Sequence, residues 1–287
     1  MSALTDFDLD ETGKIDLSRI YDRPDPRDYY QTLVNLDYCI PGEAESLFRA
    51  AVEAYRKARG RQRLKVVDVG SSYGVNGAIL KHGFRLADLF RHYGAEATGA
   101  MSRRELLARD RGLFVDNEAD ELTVIGLDPA EPAVAYAREC GILDGYITSD
   151  LEQNDPRPDE RALLAGTDLV ISTGAIGYVG APTFERILDA SEGRPWFALF
   201  ALRMFPVAAI ADALRARGYA MWKLDGNTFR QRRFAGRDER AEVLANLERL
   251  DIDPAGCEGE GWYHAEFFFA RPADEDCADP VDGLVPV

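Results

Sequence analysis

Residues 64–77 constrain this chain more than any other stretch: they read Leu-Lys-Val-Val-Asp-Val-Gly-Ser-Ser-Tyr-Gly-Val-Asn-Gly. An apolar strand delivers a carboxylate at Asp68. It then breaks into a loop with glycines at Gly70, Gly74 and Gly77 and with Ser71, Ser72 and Tyr73 between them, and a helix-like stretch follows. Glycines let the backbone turn sharply and approach a ligand closely, while the next helix offers unpaired N–H groups to an anionic end. A carboxylate at the strand end attracts a cationic group instead. Such a loop suits adjacent positive and negative charges, and therefore an amino acid better than a pyrophosphate.

The rest of the chain alternates in the same way. Strands are expected at 64–69, 122–127, 145–148, 168–172 and 196–202, with helices at 76–92, 131–140, 182–190 and 207–217 between them. Ser102 and Glu105 stand at capping-box spacing and predict a short helix before the second strand. Buried strands separated by helices imply a parallel sheet covered on both faces. The late strands at 219–225 and 262–270, with a helix near 238–250 between them, predict an antiparallel pair at the sheet edge. The fold class is therefore α/β, Rossmann-like. Residues 1–60 are read as an N-terminal arm and helical lid, 61–271 as the main domain, and 272–287 as a loosely held acidic tail. Tyr21, Tyr29, Tyr30 and Tyr38 crowd the arm, where they either staple it to the core or close over a ligand.

Charge narrows the partners. The 287 residues carry a net charge of −16, which opposes binding to nucleic acid. The two basic clusters, Lys57–Lys65 and Arg230–Arg233, read as solvated helix ends or loops. No apolar run is long enough to span a bilayer, and Met1–Asp10 lacks a secretory profile. Cys39, Cys140, Cys257 and Cys277 form no C-x-x-C pair, and His82, His92 and His264 have no zinc-ligand spacing. The expectation is a cytoplasmic protein with a small-molecule substrate, no metal, no nucleic acid and no membrane partner; a homodimer is left open.

A dinucleotide site would need G-x-G-x-x-G, but Ser72 and Val75 occupy the second and third glycine positions, and no Gly-Lys-Ser/Thr forms a P-loop. Instead, residues 64–225, extended to about 270, resemble the class I S-adenosylmethionine-dependent methyltransferases. Val67-Asp68-Val69-Gly70-Ser71-Ser72-Tyr73-Gly74 looks like the family's first motif, around the methionine end. Gly126-Leu127-Asp128-Pro129 looks like its second, where an acid binds the ribose hydroxyls. Ser149-Asp150-Leu151 falls where the family holds adenine, and Ser172-Thr173-Gly174-Ala175 where it faces the sulfonium. The resemblance implies S-adenosyl-L-methionine as cosubstrate and a seven-stranded sheet whose last strand runs antiparallel. An Asn-Pro-Pro-Tyr after the fourth strand is absent, which argues against the base- and amide-methylating branch.

A sulfonium needs little activation, so catalysis is mainly alignment and exclusion of water. Tyr178, Tyr21 and Tyr30 are the candidate catalytic residues, as aromatic faces toward the cation or the substrate. Three functions stay open. One is methyl transfer to a small molecule. The second is cyclisation of the cosubstrate's own methionine chain to azetidine-2-carboxylate, with release of methylthioadenosine. The third is a non-catalytic regulatory protein that binds the nucleoside.

Overall fold

A computed structural model of the protein describes residues 9–115 and 121–287. Residues 1–8 of the expected arm and 116–120 of the stretch before the second strand lie outside it.

Strands β1 (Leu64–Val69), β2 (Leu122–Leu127), β3 (Gly145–Ile147), β4 (Leu169–Ser172) and β5 (Trp196–Leu202) are parallel and lie in the order β3-β2-β1-β4-β5. Their periodicity builds two cores. On β5, Trp196, Ala198, Phe200 and Leu202 face one side of the sheet and Phe197, Leu199 and Ala201 the other. Since successive side chains leave a strand on opposite faces, a continuously apolar strand must be covered twice. Helices Pro158–Leu164, Ala181–Ser191 and Ala208–Ala216 cover the second face through Leu164, Ile187 and Leu214. Helix Ile40–Arg59 covers the first through Leu47, Phe48, Ala51, Val52 and Tyr55, and stops at Gly60 in the left-handed conformation (φ +63°).

The last strands confirm the antiparallel pair and refine its place. Strand β6 (Tyr219–Leu224) is followed by β7 (Phe229–Arg233), helix Arg237–Arg249 and the long strand β8 (Trp262–Pro272). Strand β8 runs antiparallel between β5 and β6, and β7 extends the β6 side of it, with Ala265 paired to Leu202 on one flank and Phe229 on the other. Residues Leu284–Pro286 form β9, antiparallel on the outer edge of β6. The sheet is thus mostly parallel with an antiparallel edge, as the resemblance implied, but has nine strands among the described residues rather than seven. The added pieces, β7 and β9, carry little periodic signal. The end of the expected loose tail is held by the ladder of β9.

Two helices also differ from expectation. The stretch 76–92 is split into Val75–Leu80 and Leu86–Gly94, because Gly83 adopts φ +71° and turns the chain between them. Helix Arg103–Val115 starts at the expected box, with the Ser102 hydroxyl donating to Glu105 Oε2 (2.6 Å) and the Glu105 N–H donating back to Ser102 Oγ (3.3 Å).

Residues 9–38 reach the loops after β1 and β4 and pack on helix Leu86–Gly94. The Ile15 N–H donates to Glu239 Oε1 (2.8 Å), the Tyr178 hydroxyl to Asp10 Oδ2 (2.6 Å) and the Tyr73 hydroxyl to the Arg23 carbonyl (2.9 Å).

Candidate functional site

Strand order reverses at β1, which is flanked by β2 on one side and β4 on the other. In an open α/β sheet the loops after such neighbouring strands diverge to opposite faces and leave a crevice at their carboxyl ends. Asp68, Asp128 and Thr173 all stand there.

The glycine loop shapes the crevice by close approach. Gly70 has φ +77°, and a methyl group on it would stand 2.7 Å from Ala175 Cβ, just past β4. Gly74 has φ +76°, and the same addition would meet Ile142 Cγ2 at 2.6 Å. Ser72 is left-handed without being glycine (φ +49°), and its N–H donates to Asp128 Oδ2 (2.9 Å). Gly70→Ala is therefore expected to destabilise the fold by about 2–4 kcal/mol, strain plus overpacking. Gly60→Ala, in the same backbone region but with open space around it, should cost about 1 kcal/mol. Urea denaturation of the pair checks this; equal losses would refute the tight packing.

Asp68 is fully buried, and its Oδ1 accepts from Asn76 Nδ2 (2.9 Å), which also reaches Thr173 Oγ1 (3.2 Å). Burial pushes the Asp68 carboxyl up to about 7, and the Asp128 charge adds to the rise. Asp68 Oδ2, Ser71 Oγ, Ser72 Oγ, Asn76 Oδ1 and Gln231 Oε1 are buried with no hydrogen-bond partner among the described residues. Each such atom costs about 1–3 kcal/mol, and most buried polar groups are paired. Three of the five belong to the glycine loop and its helix, and Asp68 is on β1 just before it. Of these, the Ser71 hydroxyl packs against Gly126 on β2.

Asp128 is half-buried at the tip of β2. Each of its oxygens takes one backbone N–H, Ala130 on Oδ1 and Ser72 on Oδ2, leaving acceptor capacity on both. Burial raises its pKa against those two hydrogen bonds. Pro129 follows it, exposed, and its carbonyl accepts the Glu131 N–H.

The tip of β3 is arranged differently. The Ser149 hydroxyl donates to the buried Glu160 Oε2 (2.5 Å), and Glu160 Oε1 takes the Ser149 N–H (3.1 Å), so Ser149 is tied to the first turn of helix Pro158–Leu164, whose N-cap is Arg157. Asp150 is exposed and its Oδ1 closes a turn on the Glu152 N–H (2.9 Å), while the Leu151 side chain is in the second core. At β4 the Ser172 hydroxyl ties back to the Val69 carbonyl (2.9 Å), and Gly174 lies under the Gln231 carboxamide, whose Nε2 would be 2.9 Å from a Cβ there.

The tyrosines separate into two groups. Tyr21 is half-buried beside Asp128, its hydroxyl pushed up to about 12 first by burial and then by that charge. Tyr178, in the loop after β4, is held by Asp10 and covered by the Lys14 ammonium at 4.9 Å from its ring centroid. Tyr30 is not at the crevice. It stacks on Tyr93 (4.5 Å between centroids, 14° between planes) with Phe90 at its edge, so its ring serves the arm's packing, as the stapling alternative had it.

Sequence reasoning missed Asn76, Gln231, Lys14, Arg232 and Glu239. Asn76 lay inside the glycine segment, a polar residue on a buried helix start, which was a usable signal. Gln231 and Arg232 were hidden in a run read as solvated. Arg230 and Arg233 do flank Trp262 at the surface, but Arg232 is 3% exposed and forms a bidentate pair with Glu239 (2.7 and 3.0 Å).

No protein-family model matches this chain, and comparison with curated proteins gives no match. Solved structures similar to it include a TehB-like S-adenosylmethionine-dependent methyltransferase from Corynebacterium glutamicum (13% identity, 77% of this chain and 86% of that one, TM-score 0.39). Another is the magnesium protoporphyrin IX methyltransferase of Synechocystis with bound S-adenosylmethionine (14%, 80% of each chain, 0.38). A third is the plantazolicin methyltransferase BpumL in complex with S-adenosylhomocysteine (10%, 89% and 94%, 0.42). By its own strand order and directions, this chain has the class I methyltransferase fold.

Proposed function

We propose that this protein is an S-adenosylmethionine-dependent methyltransferase acting on a small molecule. The observation that carries the reading is the group of unpaired buried polar atoms around Asp68, one strand away from Asp128, at the reversal of strand order. A ligand with an ammonium, a diol and a purine fits this row of acceptors. Asp68 would hold the ammonium and the Gly70–Gly74 loop the methionine end. Asp128 and Pro129 would hold the ribose, Asp150 and the Leu151 backbone the adenine, and Ser172, Thr173 and Gly174 would face the sulfonium. S-adenosylmethionine supplies an electrophilic carbon on a positive sulfur. The chain's own residues then have to align the acceptor and exclude water. The arm, tied to the loops after β1 and β4, provides the exclusion, and the Tyr21 and Tyr178 rings provide apolar faces with a negative quadrupole.

Asp128→Ala is expected to weaken S-adenosylmethionine binding at least about tenfold, the value of one to two hydrogen bonds to a charged group. Calorimetry reads this directly, and unchanged affinity would overturn the ribose assignment.

The arm also favours a second reading, since its Tyr21 lies beside Asp128 and its Asp10 holds Tyr178. In a reaction of the cosubstrate on itself, its α-amine would displace methylthioadenosine from the γ-carbon and lose a proton, giving azetidine-2-carboxylate with no acceptor needed. Incubation with S-adenosylmethionine alone, followed by mass spectrometry, separates the two. Methylthioadenosine released by native but not boiled protein supports self-reaction, and intact cosubstrate supports transfer to an acceptor.

A further inference from the structure

Lys14 is a mostly buried cation whose ammonium makes no hydrogen bond among the described residues. It is 8% exposed and sits in a tight turn in which the Asp10 N–H donates to its carbonyl (2.7 Å). An ammonium carries three donors and no acceptor, and burying it without partners is costly.

Two carboxylates are near, and both are already engaged. Asp10 Oδ1 takes the Thr12 N–H, the Thr12 hydroxyl and the Lys14 N–H, and its Oδ2 takes the Tyr178 hydroxyl. Glu239 Oε1 takes the Ile15 N–H and Arg232 Nη2, and its Oε2 takes Arg232 Nη1 and the Ala235 N–H. Among the described residues, Lys14 Nζ makes no hydrogen bond. It lies 4.9 Å from the centroid of the Tyr178 ring, in the loop after β4. Beside that loop, the Gln231 carboxamide lies over Gly174 with its Oε1 buried and unpaired.

We propose that Lys14 anchors a carboxylate of a small molecule bound at the strand ends, with the Gln231 carboxamide as a polar contact beside it. The inference rests on the proposed function and deepens it. Asp68 lies near the end of β1, and Lys14 lies over Tyr178 in the loop that follows the neighbouring strand β4. Burial, with Arg232 adding, lowers the Lys14 pKa to about 8, so the amine still carries most of its charge at neutral pH. The carboxylate has two sources: the amino-acid end of the cosubstrate, or the acceptor.

The test uses S-adenosylhomocysteine, which keeps the carboxylate, and methylthioadenosine, which lacks it. Both are titrated by calorimetry into the full chain, Lys14→Met and Lys14→Arg. The expected result is at least about tenfold weaker S-adenosylhomocysteine binding to Lys14→Met, most of it recovered in Lys14→Arg, with methylthioadenosine affinity within about twofold of wild type. That result assigns the cosubstrate's carboxylate. If both nucleosides bind Lys14→Met as they bind wild type, acetate and benzoate are titrated into protein saturated with S-adenosylhomocysteine. Binding seen in wild type and lost in Lys14→Met assigns the acceptor's carboxylate. No difference in either arm, or equal weakening of both nucleosides, overturns the proposal. A wild-type protein that binds neither nucleoside overturns the proposed function instead.

Discussion

Asp68→Asn is expected to weaken S-adenosylmethionine binding by about 10- to 100-fold at pH 7.5, the loss of one hydrogen-bonded ion pair in a buried setting. The same substitution should raise the melting temperature of the ligand-free protein at pH 8. The two effects share one cause. Burial lifts the Asp68 carboxyl to about 7, above its value of about 3.9 in an unfolded chain. The folded state therefore holds a proton there that the unfolded state releases. The associated stability is fully present below about pH 4 and is lost as pH rises through 7. Asparagine keeps the shape and never ionises, so it escapes that loss.

Binding runs the other way. A cationic ligand needs the ionised carboxylate, so wild-type affinity should fall about eightfold from pH 7.5 to pH 6 as the free protein takes up the proton. The ligand's own amine, near 8, stays charged over most of that window. Calorimetry across the range reads the slope. A flat wild-type profile, or an Asp68→Asn protein that binds and slopes like wild type, would sink the assignment of this carboxylate.

Glu239→Ala is expected to cost about 3–5 kcal/mol of folding stability, because it strands the Arg232 charge in the interior. Both side chains of the pair are almost fully buried, 3% and 1% exposed. Glu239 also holds the backbone N–H groups of Ile15 and Ala235, so the arm should come loose and be cut by protease near residue 15. Asp274→Ala is the control: its pair with Arg194 is open to water, 45% and 70% exposed, and its loss should leave the urea midpoint almost unchanged. Urea denaturation of both variants decides the matter; similar small losses would show that the buried pair does not anchor the arm.

The glycine segment and the strand tips were legible because their signals are local. Alternating apolar residues mark a strand wherever it lies, and Gly70 and Gly74 are read from the loop they make possible. Asp68, Asp128 and Thr173 were placed together from sequence because each sits at the end of a central strand. Tyr30 misled because a tyrosine carries the same letter whether it faces a ligand or stacks on Tyr93, and only the rotation of helix Arg27–Val34 decides. The stretch 76–92 misled for a smaller reason: Gly83 is tolerated in a helix or ends one, and the packing around it chose.

The sequence alone determined the α/β class, the strands and the acids at their tips, since each depends on a few neighbouring residues and on elementary sterics. The tertiary structure alone decided that β8 enters between β5 and β6, and that β7 brings Gln231 over Gly174. It alone decided that Arg232 is buried on Glu239 and that Lys14 lies over Tyr178. Those contacts join residues far apart in the chain, and their energies come from burial, which no single stretch of sequence records.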